Sequence, residues 1–189
     1  MKQILLKSIF IFFCLNTLAQ KKSIPYLQKQ GNATQLIVKG KPFLMLAGEL
    51  HNSSTYNAAF MRSIWQQMKD KNLNTVIAAA SWELVEKEQG KFDFTLIDSM
   101  VLGARDQGLH LIIIWFGSWK NGGSTYMPSY IKKDFKKYPR VKDALNKTLE
   151  ILSPFSDETC SADAAAFRAM MKHIRSIDEK EQTVIMVQV

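Results

Sequence analysis

Four short apolar runs, each followed by a polar loop, alternate with stretches of helical spacing. That order predicts an α/β chain built on parallel strands. No GxGxxG or Walker-type loop follows any of the runs, which counts against a nucleotide-binding open sheet. The predicted fold is a (β/α)8 TIM-type barrel of right-handed crossovers. A complete barrel takes about 250 residues. This chain has 189, and it supplies about the first half, four parallel strands.

Hydrophobic residues make up 47% and charged residues 22%, the balance of a globular chain. The formal charge of +8 is spread out, with one local cluster at Lys132, Lys133, Lys136 and Lys137. A nucleic-acid surface needs its basic residues on one face with stacking aromatics. The lysine run reads instead as a solvated face, and no nucleic-acid partner is expected.

Residues 1–19 read as a secretory signal peptide. Lys2 and Lys7 form a basic region, and 9–15 (IFIFFCL) is an apolar core too short for the roughly 20 residues of a membrane span. Thr17, Leu18 and Ala19 precede the expected cut at Gln20. Cys14 as an acylated lipoprotein cysteine is disfavoured by the bulky Phe13 before it, and a buried amino-terminal helix is the alternative to a signal. The expectation is export to the periplasm or the cell exterior, with no membrane span afterwards. The mature chain then keeps Cys160 alone, which excludes an internal disulfide and a cysteine metal cluster.

Residues 20–34 are polar and expected to be irregular. A short strand follows at 35–38, a turn at Lys39-Gly40, and a return strand at 41–47. The barrel segment is taken as 35–189. Residues 56–71 predict a helix with Phe60, Ile64, Trp65 and Met68 on one face. Residues 75–80 (TVIAAA) predict a buried strand, and Gln89-Gly90-Lys91 a turn. Residues 92–107 predict a second helix with Leu96, Met100, Val101 and Ala104 inward, stopped by Gly108.

The stretch 109–130 organises the rest. Residues 109–116 form a continuous apolar run with three isoleucines, a strand buried on both faces. It breaks into Gly117, Ser118, Trp119, Lys120, Asn121, Gly122 and Gly123, a polar loop at the carboxyl end of a strand, where barrels bind their ligands. A long excursion without strong pattern then runs to about residue 159. Ser161 is the predicted cap of a third helix over 162–177, with Ala166, Met170, His173 and Ile174 inward. Residues 183–189 (TVIMVQV) predict a fourth buried strand. With four strands, the first and last are open edges with apolar faces uncovered. A fragment of a longer protein is the expectation.

The strand-end residues Glu49, His51, Asn52, Trp82, Glu83, Glu86, Trp119 and Asn121 suit carbohydrate. Sugars present apolar C–H faces that tryptophan can underlie. Their hydroxyls call for carboxylates, amides and histidine. Other readings stay open at this point: Glu49 and His51 as a bonded pair at the barrel mouth, Trp82 as core, Glu83 and Glu86 as solvated carboxylates at a helix start. His110 and His173 look structural. Glu49 with His51 lacks a third ligand at metal spacing, so no metal and no cofactor are expected.

Residues 43–54, FLMLAGELHNSS, resemble the first-strand segment of family 35 glycoside hydrolases, the β-galactosidases, and of their family 42 relatives. MRSIWQQMKDKNLNTVIAAASWELVEKEQGKFDF resembles the helix, strand, tryptophan, glutamate and "G-x-F-D-F" that follow in that family. WFGSWKNGGSTYMPSYI resembles its third-strand loop. The resemblance spans about residues 36–189, and the GELHNSS form is closest to a bacterial branch trimming galactose from plant polysaccharides.

This resemblance implies a retaining hydrolase of terminal sugars on oligo- or polysaccharides. Retention uses two carboxyl groups roughly 5–5.5 Å apart, one as acid/base and one as nucleophile. The family's acid/base lies in "Q-V-E-N-E"; Gln188-Val189 match its first two letters. Both catalytic glutamates are therefore expected beyond Val189. Glu49, His51, Asn52, Trp82, Glu86, Trp119 and Asn121 carry over as substrate-binding positions. Tyrosine is commoner at Asn52, and a glutamate common before the tryptophan is Ser118 here. The alternative function is a non-catalytic carbohydrate-binding or decayed remnant.

Overall fold

The computed structural model describes residues 24–189. The expected signal peptide and Cys14 lie outside the described residues. The chain opens with a meander of three strands, β1 (Tyr26–Gln30), β2 (Ala33–Val38) and β3 (Lys41–Pro42), each antiparallel to the next. The irregular segment expected over 20–34 is thus corrected from Tyr26 onward, while residues 20–23 lie outside the described residues. Gln30 faces Ala33 across a two-residue turn, and Gly31 takes φ +58° at its first position. Glycine there allows the mirror-image turn whose twist matches a hairpin.

The return strand expected over 41–47 is also shorter. It stops at Pro42, and a new strand, β4 (Ala47–Glu49), begins the main sheet. The Asn74 side chain holds the stretch between them: Leu46 N–H donates to its Oδ1 at 2.9 Å, and its Nδ2 donates to the Leu44 carbonyl at 2.8 Å. A backbone gripped this way cannot also serve as a hairpin strand.

Helix α1 (Ala58–Asp70) starts at Asn57, whose Oδ1 accepts from the Ala59 and Phe60 N–H groups. Its inward stripe is Met61, Ile64, Trp65 and Met68. Phe60, expected inward, is half exposed at 50%, and Met61 takes its place. Strand β5 (Thr75–Ser81) leads into a single turn, α2 (Trp82–Val85), and the small hairpin β6 (Glu86–Glu88) and β7 (Lys91–Phe92). Helix α3 (Thr95–Asp106) buries Ile97, Met100, Val101 and Ala104. Strand β8 (His110–Phe116) is buried along nearly its whole length.

The excursion after β8 is less featureless than its sequence. It contains helix α4 (Ser129–Lys133) and a hairpin of β9 (Arg140–Lys142) and β10 (Thr148–Leu152). Helix α5 (Asp157–Asp178) starts five residues before the expected 162. Its cap is Ser156, whose Oγ accepts from Thr159 N–H at 3.1 Å, and Asp157 and Glu158 fill the first turn, where the helix dipole favours them. Ser161 is an ordinary exposed residue within it. Strand β11 (Val184–Gln188) follows.

The main sheet has the order β11-β8-β5-β4, all parallel. Between β5 and β8 the register is unbroken, from Thr75 opposite His110 to Ser81 opposite Phe116. Helices α1, α3 and α5 pack in one cluster with Val76, Ala78, Ala80, Leu111, Ile113 and Trp115, which share one face of the sheet. The alternate residues of the same strands, Ala79, Ile112, Ile114 and Phe116, belong to separate clusters on the opposite face. A doubly wound sheet carries helices on both faces. Winding on one face is the wall of an α/β barrel, here partial and open. On the inner face, Leu36, Val38 and Phe43 of the opening meander pack against Ile112 and Ile185.

Edge strands β4 and β11 bound this wall among the described residues. The expectation that the fourth strand is buried is corrected: Met186 is 41% exposed, and Leu44 and Leu46 are exposed beside β4. A sheet edge with no neighbour leaves such side chains in water.

Asp178, buried at the end of α5, fixes the turn into β11. Its Oδ1 accepts from Arg105 at 2.8 Å and from Thr183 N–H at 3.0 Å, and its Oδ2 accepts from Val184 N–H at 2.7 Å. Asp178→Asn turns one of these acceptors into a donor. It should lower unfolding free energy by about 1–3 kcal/mol, as read by urea denaturation. An unchanged midpoint would remove Asp178 from the turn's support.

Candidate functional site

The loops that leave the carboxyl ends of β4, β5 and β8 gather the sequence-selected residues. Glu49 at the end of β4 and His51 after it are exposed, and Asn52 is half-buried. His51 does not pair with Glu49; its Nδ1 lies 3.2 Å from Ser53 Oγ. The loop closes as a 3-10 turn over Ser54–Tyr56, anchored where Thr55 Oγ1 donates to the Ala79 carbonyl at 2.7 Å. That anchor swings Tyr56 over the end of β5.

Glu83 is the junction of the second loop. Tyr56 Oη donates to its Oε1 at 3.0 Å, and Lys132 of α4 pairs with its Oε2 at 3.0 Å. Tyr56 Oη also lies 3.0 Å from Ser81 Oγ. One half-buried carboxylate therefore joins the loops after β4, β5 and β8. Burial, with the Glu83 carboxylate beside it, pushes the Tyr56 phenol up to about 12. Lys132, read from the sequence as part of a solvated cluster, is a working member of this network.

Trp82 and Glu86 are placed differently from the sequence expectation. Trp82 is fully buried, and its Nε1 donates to Glu86 Oε2 at 2.7 Å. Glu86 is also buried and accepts from Gly90 N–H at 2.7 Å. Tyr130 bonds to it as well, its phenol raised by burial first and then by this carboxylate. A tryptophan followed four residues later by glutamate lies on one side of a helical turn, so the two satisfy each other inside the fold. In this structure the sheet end offers neither to a ligand.

The third loop is the most open. Trp119 is 46% exposed, and its Nε1 donates to the Leu152 carbonyl of β10 at 3.0 Å. Leu152 N–H in turn donates to Ser124 Oγ at 3.0 Å. The hairpin within the excursion is thus a brace for the tryptophan. Asn121 and Gly122 have φ of +53° and +76°, between Lys120 and Gly123, which exchange two backbone hydrogen bonds. Asn-Gly is the pair such a turn selects, so Asn121 earns its place by backbone conformation at an exposed tip.

Asp163 of α5 was not singled out from the sequence, where it is one residue in a helix. Its Oδ1 accepts from Trp115 Nε1 at 2.7 Å, and its Oδ2 accepts from Ser118 N–H at 2.7 Å and Ser118 Oγ at 2.6 Å. Gly117 makes room for it: a Cβ there would lie 2.5 Å from both carboxylate oxygens. Trp115, Ser118, Trp119, Asp163 and Phe167 line a cleft of about 450 Å³, with Ser153, Ser156 and Cys160 also on its wall. No sequence signal short of the fold places residue 163 beside residue 118.

Chemically, this end of the sheet offers a half-open indole, an exposed carboxylate and imidazole on the first loop, and a tyrosine–carboxylate–lysine bridge between. Among the described residues no group of three histidine, cysteine or acidic side chains is set to hold a metal ion.

No known protein-family profile matches the chain. It is 33% identical over 112 residues to a β-galactosidase of Xanthomonas manihotis, a match covering 56% of this chain and 18% of that protein. The chain therefore spans less than a fifth of this curated relative. Its fold is similar to the catalytic domain of β-amylase from Paenibacillus polymyxa, with a TM-score of 0.56 at 15% identity. That similarity covers 70% of this chain and 34% of the other. It agrees with a partial α/β barrel.

Two outcomes follow from the geometry. Subtracting a Tyr56→Phe titration from that of the wild type, at the phenolate absorbance, should isolate a group with a midpoint near 12. Because the folded value lies above the usual 10, Tyr56 favours the fold below pH 10, and that contribution is lost as pH rises towards 12. A midpoint near 10 would contradict its burial. Gly117→Ala drives a methyl into the Asp163 carboxylate and should destabilise by about 1–3 kcal/mol in thermal or urea unfolding. An unaltered stability would mean that the loop and α5 are not pressed together.

Proposed function

We propose that this chain is the amino-terminal part of a glycoside hydrolase, β-galactosidase-like, that removes terminal sugars from oligo- or polysaccharides with retention of configuration. The observation that carries this is the 33% identity to a β-galactosidase over 112 residues. The one-sided parallel wall with its loops at one end is consistent with it. Trp119 supplies a platform for the sugar's apolar face, and Glu49, His51 and Asn52 supply polar contacts to hydroxyls. Glu83, tied to Tyr56 and Lys132, keeps the loops in register rather than meeting the substrate. The acid/base and nucleophile, two carboxyl groups that retention sets roughly 5–5.5 Å apart, lie in sequence following Val189. Export through the segment 1–19 places the activity outside the cytoplasm.

The test uses the gene product at its native length, its intact mass measured and its coding DNA read past codon 189. With an aryl β-galactoside it should release the phenol, and NMR of the first-formed sugar should show the β anomer. Trp119→Ala should raise KM by up to about tenfold, the scale of one lost stacking contact of about 0.5–1.5 kcal/mol. Sugar binding without turnover at native length would leave a carbohydrate-binding chain and defeat the hydrolase. Neither binding nor turnover across a panel of aryl glycosides would defeat both.

A further inference from the structure

We propose that Asp163 is a positioning residue, whose carboxylate clasps the loop after β8 and so sets how Trp119 is presented at the cleft. The inference rests on the reading of Trp119 as a sugar platform.

The loop turns sharply between the buried Phe116 and the half-open Trp119. Loops of this kind are held by what satisfies their backbone. Here the partner comes from another element, 45 residues further along the chain: Asp163 Oδ2 takes both the N–H and the hydroxyl of Ser118. The other oxygen takes the indole N–H of Trp115, the next-to-last residue of β8. One carboxylate thus spans the strand end and the second loop residue, and Gly117 between them carries no side chain to keep it away.

A carboxylate can accept all three of these donors; an amide of the same shape cannot. Charge-assisted bonds of this kind are also the stronger ones. Trp119 is the next residue along. Its own anchor, the Leu152 carbonyl, fixes one edge of the ring, and the clasp fixes the backbone from which the ring projects. Asp163 also lines the cleft, but its oxygens are already engaged, so it acts through Trp119 rather than on a ligand.

The experiment is a double-mutant cycle on the gene product at its native length, with lactose as the probe, its binding or turnover followed by NMR. Asp163→Asn and Trp119→Ala should each raise the half-saturating lactose concentration about tenfold. Their combination should be no worse than Trp119→Ala, because both remove the same platform. Losses that multiply in the double variant would overturn the inference, since Asp163 would then act independently of Trp119.

Ser118→Ala removes one donor and leaves the carboxylate. It should shift lactose binding in the same direction by a smaller factor, and it carries the test if Asp163→Asn fails to fold. A second readout needs no sugar. Acrylamide quenching of the Trp119 emission, isolated by difference from Trp119→Phe, should rise in both clasp variants while far-UV circular dichroism is unchanged. Unaltered quenching in both would overturn the clasp. Wild-type protein that shows the quenching change on mutation but no response to lactose would sink the sugar reading and leave the clasp standing.

Discussion

One-sided winding is the constraint on which the rest of this structure depends. Strand β5 pairs with β4, β8 with β5 and β11 with β8, so each new strand lies beside the one before it, and the sterics of twisted strands favour one hand for every such crossover. The helices are therefore confined to one face. Every strand delivers its following loop to the same end, and so Tyr56, Glu83 and Lys132 come together although 76 positions separate the first from the last. The long register between β5 and β8, carried to Ser81 opposite Phe116, sets the level from which the second and third loops depart. Three successive alanines in β5 keep that strand slim, and α1 and α3 close over its outer side.

The joints of this wall are held by side-chain acceptors, used at both ends. Towards the amino ends of the strands, Asn74 grips the approach to β4 and Asp178 grips the approach to β11. Towards the carboxyl ends, Glu86 takes an indole and a backbone N–H, Asp163 takes an indole and a serine, and Glu83 takes a phenol and a lysine. A buried or half-buried carboxylate is tolerated when its lone pairs are filled in this way. Acidic residues near the candidate site therefore divide into those that build it and those, such as Glu49, that remain in solvent. Residue type does not separate the two groups, and geometry does.

The parts of this architecture that were legible in the sequence are those governed by long-range periodicity. The apolar run at 109–116 could only be a buried strand, and the stripe of Met100, Val101 and Ala104 could only face a core. Trp119, ringed by glycines and polar residues, was readable as exposed. What misled was local. Phe60 and Met61 are both apolar neighbours, and which one faces inward depends on a rotation of about 100° per residue fixed by the cap at Asn57. Ser156 and Ser161 are both acceptable caps, and the choice falls to Ser156 because Pro154 and the hairpin before it end there. Gly31-Asn32 carried a hairpin signal within a polar stretch, and β1 is exposed along its whole length, so no alternation marked it. Trp82 looked like a platform because it follows a strand, yet its partner Glu86 draws it inward. Asp163 was invisible, since its role is defined by a residue 45 positions away.

The opening meander has a consequence in time. Val38 rests on Ile185, and Lys39 N–H donates to Gln182 Oε1 across a separation of 143 residues. Synthesis at about 5–20 residues per second puts on the order of 10 s between the emergence of those two partners. During that interval the first strands made have no permanent seat, and their apolar side chains stay available to other surfaces. The contact order of the chain is thus raised at its very start, and the earliest residues are among the last to settle.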